Sequence, residues 1–335
     1  MRRVFFSLLI VLFTGSLLLL GGALWWLHEP IALRLQPGST VVDLEIEPGT
    51  SADGVAETVG ASGANVQLFV LKAWFRFSGQ ARLIKAGSYE LVPGTSPKKL
   101  LSMLVRGEET LKSVTLVEGW NFTQVRAALQ KAEQLTPDTL AQTPEIIMER
   151  IGRPGLHPEG RFFPDTYTYA KGSSDLAVLK RAARAMDKRL AAAWTVRNLD
   201  LALKSPDQAL ILASIVEKET GKAADRGQIG GVFSNRLRIG MPLQTDPSVI
   251  YGLGGQFDGN LRKRDLQLDT PYNTYTRTGL PPTPIAMPGK AALLAAVQPA
   301  STKALYFVSR GDGSSEFSEN LEGHNRAVNK YIRGR

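Results

Sequence analysis

The stretch Ser205–Gly221, SPDQALILASIVEKETG, constrains this chain most, because it specifies a helix without a wet face. Ser205 suits the N-cap and Pro206 the first helical position. Asp207 favours the positive helix end, and Gln208 completes a capping box. From Ala209 to Val216 almost every position is apolar, so the spacing predicts a core helix buried on most sides. Gly221 fits the C′ position that ends it.

Two carboxylates stand in the last turn of this helix. Residues three, four and seven apart share a face, so Glu219 follows Val216, Ile215 and Leu212, while Glu217 follows Ser214, Ala213 and Leu210. Desolvation on the oilier stripe and the negative helix end both disfavour an anionic Glu219, raising its pKa toward that of a general acid. A second reading is equally open here: both glutamates sit at a solvated helix end and pair with Lys218, Lys222 or Arg226.

The 335 residues suffice for two domains and contain no cysteine, which excludes disulfides and thiolate metal sites. His28, His157 and His324 are too scattered for a zinc site, so no metal or other cofactor is expected. A net charge of +9 with pI about 9.7 suits nucleic acid, anionic lipid or an acidic polymer. The uncharged run Val4–Leu27 narrows that choice. As a helix it exceeds the ~30 Å hydrocarbon core, Trp25 and Trp26 suit the interface, and Arg2 and Arg3 favour a cytoplasmic N-terminus. A cleaved signal peptide would have a shorter apolar region and a small-residue cleavage site, so residues 1–28 read rather as a cytoplasmic tip with an uncleaved single-pass anchor, 29–40 as a spacer, and the bulk of the chain as extracytoplasmic. No nucleic-acid partner is expected.

Residues 41–110 read as a small α+β module. Val41–Ile46 and Ala86–Val92 are strand-like, Ser51–Val59 and Val66–Phe77 have helical spacing, and Ser96-Pro97 opens a helix to Val105. This order resembles the LysM-like modules that bind wall glycan; a plain spacer domain is as well supported. Residues 111–335 read as a larger, mostly helical domain. Within it, Pro158–Tyr167 brackets aromatic residues with proline and glycine, as in a sugar groove or a loop folded onto the core. Pro271–Tyr275 and Thr278–Ile285 form a long polar loop of the kind that tends to be functional. Leu305–Ser309 and Ser315–Ser318 suggest a hairpin before a basic helix with His324 and Asn325. Ser96-Pro97-Lys98-Lys99 matches S-x-x-K, but Arg277-Thr278-Gly279 and Ser318-Glu319-Asn320 follow in the wrong order for a penicillin-interacting enzyme.

Four blocks are more specific: ASIVEKET (Ala213–Thr220), FSNRLRIGMPLQTDPSVIYGLG (Phe233–Gly254), YNTYTRTGLPPTPI (Tyr272–Ile285) and ALYFV (Ala304–Val308). In order and spacing they resemble the YceG-like endolytic murein transglycosylase family across the whole chain. The resemblance implies an inner-membrane lytic transglycosylase with a lysozyme-like domain, cutting MurNAc-GlcNAc bonds within nascent peptidoglycan strands to leave 1,6-anhydroMurNAc ends. Peptidoglycan synthases, the penicillin-binding proteins, are the candidate protein partners. Ile215-x-x-x-Glu219-Thr220 is similar to the signature around the catalytic acid of such enzymes, which assigns that role to Glu219. Thr283 stands where the family usually has glycine, and Thr disfavours a positive φ, so the local loop is expected to differ there.

A single acid suffices for this chemistry, donating to the glycosidic oxygen and then accepting the C6 hydroxyl proton. A muramidase-type hydrolase needs a second carboxylate, for which Glu217 and Asp246 are near in sequence. A non-catalytic peptidoglycan-binding scaffold is the third reading. Glu217, Asn235, Gln244, Thr245, Asp246, Tyr272, Asn273 and Tyr275 are the expected substrate-binding residues, each of which could instead satisfy a buried backbone group.

Overall fold

The computed structural model describes residues 2–35, 41–108, 111–220 and 222–334, without the side chains of 2–12, 19 and 20. The chain divides into two units, Met1–Lys112 and Ser113–Arg335. The fold is mixed α+β and mostly helical.

The first unit runs α1 (Arg2–His28), β1 (Ala32–Leu33), β2 (Val42–Ile46), α2 (Ala52–Ala61), β3 (Ala64–Asn65), α3 (Leu68–Phe77), β4 (Gly87–Leu91) and α4 (Pro97–Arg106). The expected anchor Val4–Leu27 lies within α1. No helix among the described residues is long and apolar enough to cross a membrane; much of that apolar run belongs to the side chains outside the description. Alternation in β2 buries Val42, Leu44 and Ile46 against α2 and α3, and β2 pairs antiparallel with β4 from Val42↔Leu91 to Ile46↔Gly87. Ser96 accepts a hydrogen bond from Lys99 N (3.4 Å), so the S-x-x-K serine is the N-cap of α4.

The boundary falls within β5 (Leu111–Thr115), and the second unit goes on with α5 (Phe122–Lys131), α6 (Pro144–Arg150), β6 (Thr166–Ala170), α7 (Asp175–Thr195), α8 (Pro206–Glu219) and α9 (Ala223–Arg238). It continues with α10 (Asp246–Leu253), α11 (Lys263–Gln267), α12 (Lys290–Val297), the β7 (Tyr306–Ser309) and β8 (Ser315–Ser318) hairpin, and α13 (Leu321–Val328). Helix α8 is central: Ala209 to Val216 are all buried among α7, α9, α10 and α12. Ser205 caps it as expected (Gln208 N to Ser205 Oγ, 3.2 Å), but Gln208 Oε1 accepts from Lys204 N (2.6 Å) rather than closing a capping box. Gly221 lies outside the described residues, and the observed C-cap is Thr220 in extended conformation. Helix α9 meets α12 through glycine: a Cβ on Gly230 would stand 2.3 Å from Ala295 O.

A second core lies between α5, α6, β6 and α7. The aromatic loop contributes to these cores, with Phe162 stacked on Phe122 at 5.2 Å and Phe163 buried. Its end, Thr166-Tyr167, already belongs to β6, so the stretch is not wholly irregular. Thr283 has no positive φ and donates to or accepts from Tyr272 Oη at 2.8 Å, so its side chain fits the loop without backbone strain.

Candidate active site

The two glutamates at the end of α8 separate at about 100° per residue, leaving their side chains about 160° apart. Glu217 accepts from Gly289 N (2.9 Å), the N-cap of α12, and lies 3.7 Å from Arg226 Nη2. Its side chain is only 7% exposed. It joins α8 to α12 and α9, and the structure gives it a bracing position rather than a place in a groove.

Glu219 instead lines a pocket of about 370 Å³ with Arg236, Gln244, Asp246, Tyr275, Tyr306 and His324. Burial pushes its carboxyl up to about 7; a hydrogen bond from Thr245 and the Arg236 charge oppose that rise, while Asp246 adds to it. Burial also raises Glu217, against the Gly289 hydrogen bond and the Arg226 charge. A raised pKa therefore does not distinguish the two; the open space beside Glu219 does.

The turn between α9 and α10 shapes this pocket. Gln244 adopts φ 50°, unusual for a residue with a side chain, and is held there by its N–H to Thr274 O (3.0 Å). Arg236 fixes the same turn through Leu243 O (2.8 Å), Pro242 O (3.2 Å) and Gln244 Oε1 (3.4 Å), and ties it to the residue just before β7 through Leu305 O (2.7 Å). Thr245 is 1% exposed and donates its hydroxyl to Glu219 Oε1, so it touches the acid and is shielded from solvent. Asp246 accepts from Tyr275 Oη at 2.6 Å, within the same pocket.

Besides Glu217, three of the expected substrate-binding residues lie outside this pocket. Asn235 donates to Thr302 O (2.8 Å) and Ala304 O (3.1 Å), bracing the approach to β7. Asn273 is fully buried and bonds Leu266 O (3.0 Å) and Leu268 O (2.7 Å), so backbone carbonyls claim its amide. Tyr272 lines a neighbouring pocket of about 520 Å³ with Tyr251, Glu159 and Lys218.

Arg236, Tyr306 and His324 are lining residues that the sequence reading passed over. Arg236 had a signal: three, four and seven residues after Phe233, Val232 and Ile229, it occupies the buried stripe of α9. Its guanidinium lies 5.2 Å from the Tyr306 ring, and Tyr306 stacks on His324 at 5.1 Å. Desolvation and Arg236 lower the His324 pKa, favouring a neutral imidazole. Glu159, 3% exposed, was missed as well; burial pushes it up to about 7 against hydrogen bonds from Phe122 N and Tyr251 Oη.

A half-buried carboxyl able to hold a proton near neutrality, in a polar and aromatic pocket, is the equipment of an acid-base enzyme. The YceG-like family model matches residues 44–330, and the chain belongs to that family. It is 31% identical over 337 residues to a Bacillus subtilis protein named endolytic murein transglycosylase, spanning 94% of this chain and 91% of that one. Its identity to a Streptococcus pneumoniae protein of the same name is 27% over 325 residues, spanning 87% of this chain and 58% of that one. A crystal structure of a yceG-like protein from Listeria monocytogenes superposes with a TM-score of 0.54 at 27% identity, covering 86% of this chain and 99% of the other.

Proposed function

We propose that this chain is an endolytic lytic transglycosylase of peptidoglycan, with Glu219 as acid and then base. The observation that carries the reading is Glu219 itself, a carboxyl pushed up to about 7 that faces open space in a chain of this family. Thr245 donates to Oε1, so Oε1 serves as acceptor and the transferable proton belongs on Oε2. That proton passes to the glycosidic oxygen as the bond to C1 breaks. The resulting carboxylate takes the C6 hydroxyl proton while O6 closes onto C1, and no water enters.

Asp246, in the same pocket, supports one second reading, a muramidase-type hydrolase in which two carboxylates share the work. Mass spectrometry of digested strands separates the two. An anhydro end lies one water, about 18 Da, below the reducing end left by a hydrolase. Predominantly reducing ends would replace the transglycosylase reading by the hydrolase one.

The finer reading includes α1 as a single-pass inner-membrane anchor with the rest of the chain outside the cytoplasm. It rests on the apolar run Val4–Leu27 and the flanking Arg2 and Arg3. The two antiparallel strands and two helices of residues 42–91 support a LysM-like, glycan-binding role for the first unit. Nascent strands as substrate, and peptidoglycan synthases as partners, follow from the same location.

A further inference from the structure

The pocket beside Glu219 has a neighbour that the acid-base chemistry leaves unused. Successive residues divide between the two: Glu219 and Asp246 line the first pocket, whereas Lys218 and Pro247 line the second. The two cavities therefore flank one seam, formed by the end of α8 and the start of α10.

The second pocket, about 520 Å³, has an apolar wall and a rim of donors. Tyr251 and Tyr272 meet edge to face at 4.9 Å, with Pro247, Ile250 and Ile285 beside them. At the rim, Lys218 is exposed and spends one proton on Gly119 O at 3.3 Å, leaving two. Asn121 and Gln124 turn their carboxamide oxygens to each other's backbone N–H, both at 2.9 Å, which leaves their NH₂ ends as donors. Glu159 closes the inner wall, held by Phe122 N (3.0 Å) and Tyr251 Oη (3.1 Å). Its burial disfavours the anion that would oppose an acidic ligand. A cation and two amide donors above an apolar wall suit a ligand with a carboxylate on a small apolar body.

We propose that this second pocket binds the carboxylate-bearing peptide stem of the strand being cut, with Lys218 pairing to the carboxylate and Tyr251 and Tyr272 packing on the peptide. The inference rests on the peptidoglycan reading above. The stem leaves the lactyl ether of the same MurNAc ring whose C1 is attacked, which is why its pocket adjoins that of the acid. The pair selects strands that still carry peptides.

The test compares peptide-bearing strands with the same strands stripped by an amidase, using the full chain in detergent. Wild type is expected to favour the peptide-bearing strands in kcat/KM by about tenfold, the value of one charge-assisted contact. That ratio should fall toward one in Lys218→Gln and return in Lys218→Arg. A wild-type ratio near one, or a ratio preserved in Lys218→Gln, overturns the assignment. If wild type cuts neither substrate, the enzymatic reading fails and the pocket is judged by calorimetry with a free stem tetrapeptide. Binding of the acid but not of its C-terminal amide supports the site, and equal or absent binding of both overturns it.

Discussion

Glu217 and Glu219 leave the same helical turn, and burial raises the pKa of both, yet their surroundings differ in kind. On the Glu217 side the oxygens are taken up by Gly289 N and Arg226, and the side chain is covered by α12 and α9. On the Glu219 side a single hydroxyl, that of Thr245, meets one oxygen, and the rest of the carboxyl borders a cavity. A proton held by the first group would go nowhere, whereas one held by the second can be delivered. On the reading proposed above, reactivity at this helix end depends on unspent hydrogen-bonding capacity beside empty space, with the shifted pKa as a necessary companion.

The largest expected effect comes from Glu219→Gln, which keeps the shape of the side chain but removes the proton. Strand cleavage should fall by ~10²- to 10⁴-fold. Stability should respond in the opposite sense. A carboxyl raised from 4.5 to about 7 contributes its full share to the folded state below pH 4.5, and loses it as pH rises toward and past 7. Denaturant unfolding should therefore show Glu219→Gln level with wild type near pH 4 and more stable at pH 8. Near-wild-type cleavage, or an equal stability difference at both pH values, would break the contrast at its active end.

Glu217→Leu tests the other end. It leaves the Gly289 N–H and the Arg226 guanidinium without their partner, so the variant should lose ~1–3 kcal/mol of unfolding free energy. Glu217→Gln should lose less, and both should keep kcat of the same order as wild type when corrected for the folded fraction. A kcat collapse in folded Glu217→Gln would move the chemistry to the wrong face of α8.

Much of this was legible in local pattern. The period of two in Val42–Ile46, the Ser205-Pro206 helix start and the two strands of the terminal hairpin each follow from neighbours in sequence. The helix periodicity also put Glu217 and Glu219 on different faces of α8, though the apolar stripe read for Glu219 says nothing of the cavity beside it. The rest of the pocket wall was not legible, because it is assembled over long separations: Tyr306 and His324 reach Glu219 only through the packing of β7 onto α9 and of α13 onto β7. Amides were the hardest to read. Asn235 and Asn273 sit in polar, motif-rich stretches as a ligand-binding amide would, yet both are consumed by backbone carbonyls, and no local signal announces which acceptor an amide will find. Gln244 illustrates the converse, since its positive φ is imposed by Arg236 and Thr274 from other elements.

The smallest effect sharpens the comparison most, because it alters a single hydrogen bond on the active side. Thr245 donates its hydroxyl to Glu219 Oε1, and this bond favours the ionised acid, so it lowers a pKa that burial has raised. Thr245→Val is nearly isosteric, and the backbone N–H that binds Thr274 Oγ1 (3.0 Å) is untouched. Without the hydroxyl the Glu219 pKa should rise, and with Glu219 as the proposed general acid the high-pH limb of the kcat profile should move to higher pH by about one unit. Thr245→Ser should restore the wild-type limb. The rate below pH 6 should fall modestly, because the carboxyl also loses the contact that orients it. A merely structural Thr245 would lower kcat at every pH alike. A limb displaced downward would mean that the hydroxyl favours the neutral acid over the carboxylate, opposite to the sense in which it opposes burial here.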